Sequence, residues 1–361
     1  MRFRPPMHHR GRTGVAVILL VLVIVGALVV WLIARGGTGA GAFFTEGPGA
    51  ATEEDISRAV AKVAPAVVRI NTTVGGGPEA VVKGLFGGSP EGILPRRGQG
   101  SGVIINGRRG YVLTNAHVAR GAREIQVTLP DGRSFNGKVV GADSVTDIAL
   151  VQIKGNNLPQ AELGSAERLP VGSWVVAVGN PFGLENTVTA GVLSGKGRTI
   201  VGEGAIAVTD LLQTDAAINR GNSGGALIDL RGQVVGMPTA IVPYARGIGF
   251  AVAIDTAKAV IPELVRTGKV SHAWLGISYT TRMRDEGVVI QQVLPGTPAA
   301  KSGLKPGDVI ETLQGKQVRD TEDVARIMRR KRPGDTLELT VLRQGERRTV
   351  TVHLGEMPEL S

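Results

Sequence analysis

Between Gly98 and Ile254 the chain alternates short apolar, β-branched runs with turn signals, among them Asn106-Gly107, Asp131-Gly132 and Arg231-Gly232. Repeated short strands separated by turns predict a barrel or a sandwich. Val67 to Thr73 begins the strand pattern, after a short helix over Ile56 to Val63 with Pro65 beyond it. Ile254 to Thr267 reads as a helix that closes this first unit, and Asp323 to Met328 as an amphipathic helix in a later one. Gly75 to Gly98 is dense in Gly and Pro and breaks the pattern, so it reads as a long loop. A long loop in a compact domain is usually functional or disordered.

The N-terminal pattern is different. No charge falls between Gly14 and Ala34, and about 20 apolar residues span a bilayer. Arg2, Arg4, Arg10 and Arg12 precede the run, and only Arg35 comes closely after it. Positive charge stays on the cytoplasmic side. The expected layout is a cytoplasmic tail over 1–13, a transmembrane helix over 14–34 and a flexible, Gly-rich linker over 35–54, with everything after it extracytoplasmic. A cleaved signal peptide is the competing reading, because Ala40-Gly-Ala42 looks like a small-residue cleavage site. Signal h-regions are about 7–15 residues, and this run is longer.

Composition narrows the chemistry. The chain has 361 residues and no cysteine, which excludes a thiol nucleophile and leaves an exported domain to be held by its own core. No His/Cys/Asp cluster has metal-ligand spacing, and no dinucleotide or phosphate-binding glycine loop is visible, so neither metal nor cofactor is expected. The net charge of +10 suggests nucleic acid at first sight. Five of those charges are the N-terminal arginines, which membrane topology explains. Arg329-Arg330-Lys331-Arg332 is the one dense run elsewhere; it comes after the amphipathic helix and reads as a solvated helix end, docking to an anionic lipid or protein being the alternative. No nucleic-acid partner is expected.

Candidate chemistry centres on Gly221-Asn222-Ser223-Gly224-Gly225. A serine between glycines can present its hydroxyl with bare backbone N–H groups beside it, as acyl transfer requires, although the same stretch also reads as a tight turn. A base is needed. His8 and His9 lie before the apolar run, and His272 and His353 lie in the C-terminal region, which leaves His117, at the end of the run Tyr111-Val-Leu-Thr. The orienting carboxylate should be buried behind the imidazole. Asp131 is a turn residue, and Asp143 in Gly-Ala-Asp-Ser reads as loop; Asp210 has no such placement. Asp147 immediately precedes the apolar strand Ile148 to Ile153, and Asp215 is the alternative.

Thr114-Asn-Ala-His117-Val, Thr146-Asp147-Ile-Ala-Leu and Gln213-Thr-Asp-Ala-Ala-Ile-Asn219 leading into the Ser223 loop closely resemble the HtrA (Deg) family of PDZ-containing serine proteases. Gly98-Gln-Gly-Ser-Gly-Val-Ile-Ile105, Val178-Gly-Asn-Pro-Phe-Gly183 and Gly247-Ile-Gly-Phe-Ala-Val252 resemble it as well, and the match runs from about Asp55 to Glu356. The resemblance implies a mainly β chain, with a chymotrypsin-like double β-barrel over 55–268 and one PDZ domain over 271–357. It implies Ser223 as nucleophile, His117 as base, Asp147 as orienting acid, and the N–H groups of Gly221 and Ser223 as oxyanion hole. Ile218, Ile248 and the Ala240 to Gly249 loop would line the substrate pocket. Thr239 to Gly249 holds no acid, so small or medium aliphatic side chains are expected there. The family commonly has proline where this chain has Arg220 and Ala226, which frees the loop beside the nucleophile.

Trp274-Leu275-Gly276-Ile277 resembles the carboxylate-binding loop of a PDZ domain, and Pro295 to Ile310 resembles the helix, turn and strand that come later in such a domain. Leu275, Gly276 and Ile277 would then receive C-terminal peptides by strand addition. The implied protein is a membrane-anchored serine endopeptidase, trimeric as in the family, that cuts misfolded or regulatory polypeptides outside the cytoplasm. A non-catalytic PDZ chaperone or scaffold is the alternative.

Overall fold

The computed structural model describes residues 52–75, 96–181, 186–201, 207–219, 221–241, 247–282 and 287–358. The proposed span Gly14 to Ala34, most of the Gly75 to Gly98 loop and Arg220 lie outside them. Among the described residues no helix is long and apolar enough to cross a membrane.

The alternation of apolar runs and turns produces two closed six-stranded barrels. The first is built from β1 (Val67–Val74), β2 (Arg96–Asn106), β3 (Tyr111–Thr114), β4 (Ala122–Thr128), β5 (Ser134–Asp143) and β6 (Ile148–Ile153), in the order β1-β2-β3-β6-β5-β4. The second uses β7 (Trp174–Gly179), β8 (Thr187–Val201), β9 (Ala207–Thr214), β10 (Ala226–Ile228), β11 (Val234–Ile241) and β12 (Gly249–Ala253), in the order β10-β11-β12-β9-β8-β7. The strand pairs in both are antiparallel. In β1 the fully buried Val68 and Ile70 alternate with the half-buried Arg69 and Asn71, the period of two of a strand with one face in a core.

Three sequence expectations need correction here. The break expected through Gly98 ends earlier, because β2 starts at Arg96 and pairs with β1 from Val74↔Arg96 onward. Asp143 is not in a loop: it ends β5, pairs with Ile148 and is buried. His117 does not end a strand. It lies on a single helical turn, Ala116–Ala119, because β3 stops at Thr114.

A helix precedes the barrels, Glu53–Val63, with Thr52 and Asp55 forming a reciprocal capping box. It buries Ala59 and Val63, and Lys62 Nζ donates to Glu162 Oε2 at 2.7 Å and to the Arg231 carbonyl at 3.2 Å. The helix Ile254–Thr267 comes after β12 as expected. Its Asp255 accepts from the N–H groups of Ala166 and Glu167, and its last turn ends at Gly268, whose carbonyl accepts from Ala142 N of β5.

The C-terminal unit holds β13 (Ala273–Trp274), β14 (Ile277–Thr281), β15 (Val288–Val293), β16 (Val309–Leu313), β17 (Lys316–Gln317), β18 (Thr336–Arg343), β19 (Glu346–His353) and β20 (Gly355–Glu356). Its main sheet runs β14-β15-β16-β18-β19, and β13 pairs with β20. The helix Thr321–Met328 is capped by Asp320 and buries Val324 and Ala325. Inside this unit Asp308, 1% exposed, is held by the Arg343 guanidinium at 2.6 and 2.7 Å and by Lys305 N at 2.9 Å. The basic run after the helix is not wholly solvated: Arg329 donates to Thr209 Oγ1 at 3.1 Å and sits 3.5 Å from Asp210, both on β9.

Candidate active site

β3 and β6 pair with Thr114 opposite Ala149, so the residues just beyond each strand end, His117 and Asp147, emerge side by side. Asp147 Oδ1 and Oδ2 lie 3.0 and 2.9 Å from His117 Nδ1, and Oδ1 also accepts the His117 backbone N–H at 3.0 Å. The Asp147 carbonyl takes Ala116 N and Asn115 Nδ2, each at 3.1 Å. The carboxylate is buried, whereas the imidazole is half-exposed. Acceptors on Nδ1 place the ring proton there and leave Nε2 as the basic nitrogen. Burial of the ring opposes its protonation, but the hydrogen bond and charge of Asp147 outweigh it and hold His117 above the ordinary histidine value.

Thr239, on β11, joins the acid to the serine. Its hydroxyl donates to Asp147 Oδ2, and its carbonyl accepts from Ser223 Oγ at 3.5 Å. That long bond is the one Ser223 Oγ makes among the described residues; resting hydrogen bonds in such sites often tighten only when substrate arrives. The sequence reading missed Thr239. A polar residue inside the otherwise apolar Val234–Ile241 run was the available signal.

The Ser223 loop divides its N–H groups. Asn222 N donates to Asn219 O, Gly224 N to Pro238 O and Gly225 N to Asn222 O. Those of Gly221 and Ser223 have no acceptor among the described residues. Two unspent donors two residues apart are the groups an oxyanion would need. Gly221 has φ +99°, and a Cβ there would meet Pro181 Cβ at 2.3 Å, so only glycine fits.

Ser101, fully buried on β2, fastens this loop to the first barrel. Its N–H donates to the Ser223 carbonyl at 2.8 Å, and its hydroxyl donates to the Gly221 carbonyl at 2.5 Å. The same hydroxyl accepts from Asn180 N at 2.8 Å. Asn180 Nδ2 donates to Asn186, whose Nδ2 donates to Ala64 O just after the first helix. Ser101 too was not singled out from the sequence.

Of the expected pocket residues, Ile218 lies between β9 and β10 and Ile248 just before β12. Ile218 is 7% exposed and presses on Gly249, where a Cβ would come within 2.5 Å of Ile218 Cγ1. Ile248 is half-buried against the core. The other candidate acids go elsewhere: Asp215 accepts from Val192 N, Asp131 from Arg133, and Asp143 from Val145 N in the turn beyond it. Among the described residues no group of three or more His, Cys, Asp or Glu could hold a metal ion.

In the C-terminal unit, Leu275 and Gly276 lead into β14, an edge strand whose outer side is unpaired. Gly276 has φ +81° and lies against Thr297, whose Cβ would be 2.2 Å from any Cβ at 276. Thr297 Oγ1 donates to Leu294 O at 2.7 Å and pins the loop. The N–H groups of Leu275 and Gly276 have no acceptor among the described residues. Ile277 begins β14 opposite Val293, with Ile277 and Tyr279 half-buried and Ser278 and Thr280 exposed.

Comparison with known proteins agrees with this arrangement. A trypsin-like peptidase domain matches residues 100–237 and a PDZ domain matches residues 273–354. HhoB of Synechocystis sp., a serine protease by name, is 42% identical over 335 residues, 84% of this chain and 80% of that protein. A DegP-like periplasmic serine endoprotease of Halomonas elongata is 38% identical over 342 residues, covering 84% of this chain and 71% of its own. Among solved structures, the HtrA-type protease AlgW with a decapeptide is similar at a TM-score of 0.68 and 34% identity, covering 84% of this chain and 99% of that one. Two barrels that bring together a serine, a histidine and an aspartate, with one PDZ domain after them in the chain, place the protein in the HtrA/Deg family as a serine endopeptidase.

Proposed function

We propose that this endopeptidase is anchored in a membrane by Gly14 to Ala34 and works outside the cytoplasm on misfolded or regulatory polypeptides. Ser223 Oγ attacks the substrate carbonyl while His117 Nε2 takes its proton. The tetrahedral oxyanion is held by the N–H groups of Gly221 and Ser223. The C–N bond then breaks, the amine leaves with the proton from His117, and an acyl ester remains on Ser223. Water, deprotonated by His117, releases the acid by the same steps. Asp147 keeps the proton on Nδ1 and stabilises the imidazolium. The pairing of His117 Nδ1 with both oxygens of a buried Asp147, beside the Ser223 loop, carries this reading.

The proposal extends to the rest of the chain. Residues 1–13 face the cytoplasm, 35–54 are a tether, 55–268 form the protease and 271–357 the PDZ domain, in a homotrimer. Leu275, Gly276 and Ile277 receive C-terminal peptides, for delivery or activation, and Ile218 and Ile248 favour small or medium aliphatic residues before the cut. Digestion of an unfolded protein such as casein by wild type and Ser223→Ala tests the chemistry. Cleavage by wild type alone is expected; equal cleavage by both would refute it.

A further inference from the structure

We infer that His272, in the segment joining the protease to the PDZ unit, is a positioning residue that holds Asp147 in place through Asp143. The inference rests on the catalytic assignment of Asp147 proposed above.

The turn that delivers Asp147 is tight. β5 ends at Asp143 and β6 begins at Ile148, and these two residues pair, so only Ser144 to Asp147 make the reversal. Asp147 itself sits at φ +56°. A non-glycine residue in that region is tolerated when its surroundings hold it there. Asp143 is the holder. Its side chain is 3% exposed and accepts three hydrogen bonds. Val145 N donates to Oδ1 at 3.1 Å, Thr146 Oγ1 to Oδ2 at 2.5 Å, and His272 Nε2 lies 2.8 Å from Oδ1. Two of these donors belong to the turn; the third comes from 129 residues further along the chain.

A buried carboxylate needs its donors, and here the last is supplied by a segment fixed at both sides. Upstream, Gly268 O accepts from Ala142 N, the residue before Asp143, and Ser271 N donates to Glu263 Oε1 at 3.2 Å. Downstream, the His272 carbonyl accepts from Met357 N, Ser271 Oγ donates to Glu356 Oε1, and Ala273 pairs with Glu356 in the β13–β20 ribbon. His272 therefore ties the PDZ ribbon directly to the turn bearing the triad acid. A water molecule could replace the donor at Asp143 but could not carry that attachment. None of the catalytic steps uses His272, and its side chain, 23% exposed, points to Asp143 rather than to the cleft.

The test uses the purified full-length chain with His272→Leu, His272→Gln and Ser223→Ala. Leucine keeps apolar bulk without a donor, and glutamine offers an amide N–H. Steady-state cleavage, the pH profile of kcat/KM and thermal unfolding are measured for each. Misplacing a catalytic group by about 1 Å costs up to about a hundredfold, so His272→Leu should lower kcat at least about tenfold with KM little changed. The acid limb of kcat/KM should move to lower pH, as His117 loses its aligned carboxylate, and His272→Gln should restore most of kcat. If the His272→Leu protein fails to fold, His272→Ala takes its place, read by the same measurements and by the low-field NMR signal of the His117 Nδ1 proton. An unchanged signal and limb in the variant that lacks a donor at 272 overturn the inference. So does a fall in unfolding temperature with kcat intact, which leaves only a structural role. Residual activity in Ser223→Ala would overturn the catalytic assignment instead.

Discussion

Ser101→Ala removes one buried hydroxyl and little else. The backbone at 101 would still donate to Ser223 O and accept from Thr114 Oγ1 at 2.7 Å, so β2 and the barrel keep their fastening. What is lost is the hydroxyl bridge between the Gly221 carbonyl and the N–H of Asn180, itself 1% exposed. Orphaning a buried group such as the Asn180 N–H costs about 1–3 kcal/mol, with a smaller addition from the half-buried Gly221 carbonyl, unless a water enters the space. At roughly 2–4 °C per kcal/mol for a unit of this size, the protease melts at least about 2 °C lower. Activity should fall further than stability predicts, because the freed Gly221 carbonyl lets the loop turn its N–H away from the oxyanion. Complete loss of one such donor costs about 10²–10³ in kcat, so a partial loss of about tenfold to a hundredfold is expected. Calorimetry gives the first quantity. The second comes from kcat together with affinity for a peptide boronate, which forms a tetrahedral adduct, compared with a non-covalent product peptide. Boronate affinity should drop with kcat while product affinity holds. Wild-type kcat and boronate affinity in Ser101→Ala would refute the reasoning, whatever happens to the melting temperature.

Other outcomes follow from the same geometry. Because Asp147 holds the His117 pKa above its ordinary value, the base is protonated and idle at a higher pH than a free histidine would be; kcat/KM should fall on acidification with a limb above 6.5. Asp147→Asn should lower kcat by about 10⁴ and shift that limb downward, which stopped-assay pH profiles would read. Gly276→Ala forces a methyl into Thr297 at a positive φ, and fluorescence anisotropy should show at least about tenfold weaker binding of C-terminal peptides. Arg343→Leu leaves Asp308 buried without its guanidinium, and should destabilise the PDZ unit by about 3–5 kcal/mol in denaturant titrations. In the unmutated protein burial pushes the Asp308 carboxyl up, but Arg343 and the Lys305 N–H outweigh it and hold it below its ordinary value of 3.8. Its contribution is therefore present above pH 3.8 and should be lost on acidification below that.

The barrels were legible because strands and turns are local: β-branched runs and Asn-Gly or Asp-Gly pairs need no distant partner to be recognised. The His117–Asp147 contact was legible because histidine is scarce and because each residue borders an apolar run, whereas Ser223 drew attention by lying between glycines. Thr239 and Ser101 were not, since a hydroxyl in a strand becomes informative only when the opposite barrel supplies its partner. Asp143 failed for the same reason in reverse. Its Gly-Ala-Asp-Ser setting has turn composition, yet pairing with Ile148 keeps it in the strand and His272 keeps its buried carboxylate satisfied. Arg329 looked like an ordinary cationic helix end, which is the local expectation; only the tertiary fold puts Thr209 and Asp210 within its reach.

The closure of both barrels has a consequence for a protease whose substrates are polypeptides. A closed barrel has no row of unpaired backbone groups onto which a sticky extended polypeptide can add. In the PDZ unit the main sheet ends in free edges, at β14 and β19. β19 carries Glu346, Arg347 and Arg348, and charge on an edge discourages pairing. β14, Ile-Ser-Tyr-Thr-Thr, carries none. Among the described residues the barrels thus offer no open edge to an extended chain, while β14 is a neutral strip where a stray strand can settle.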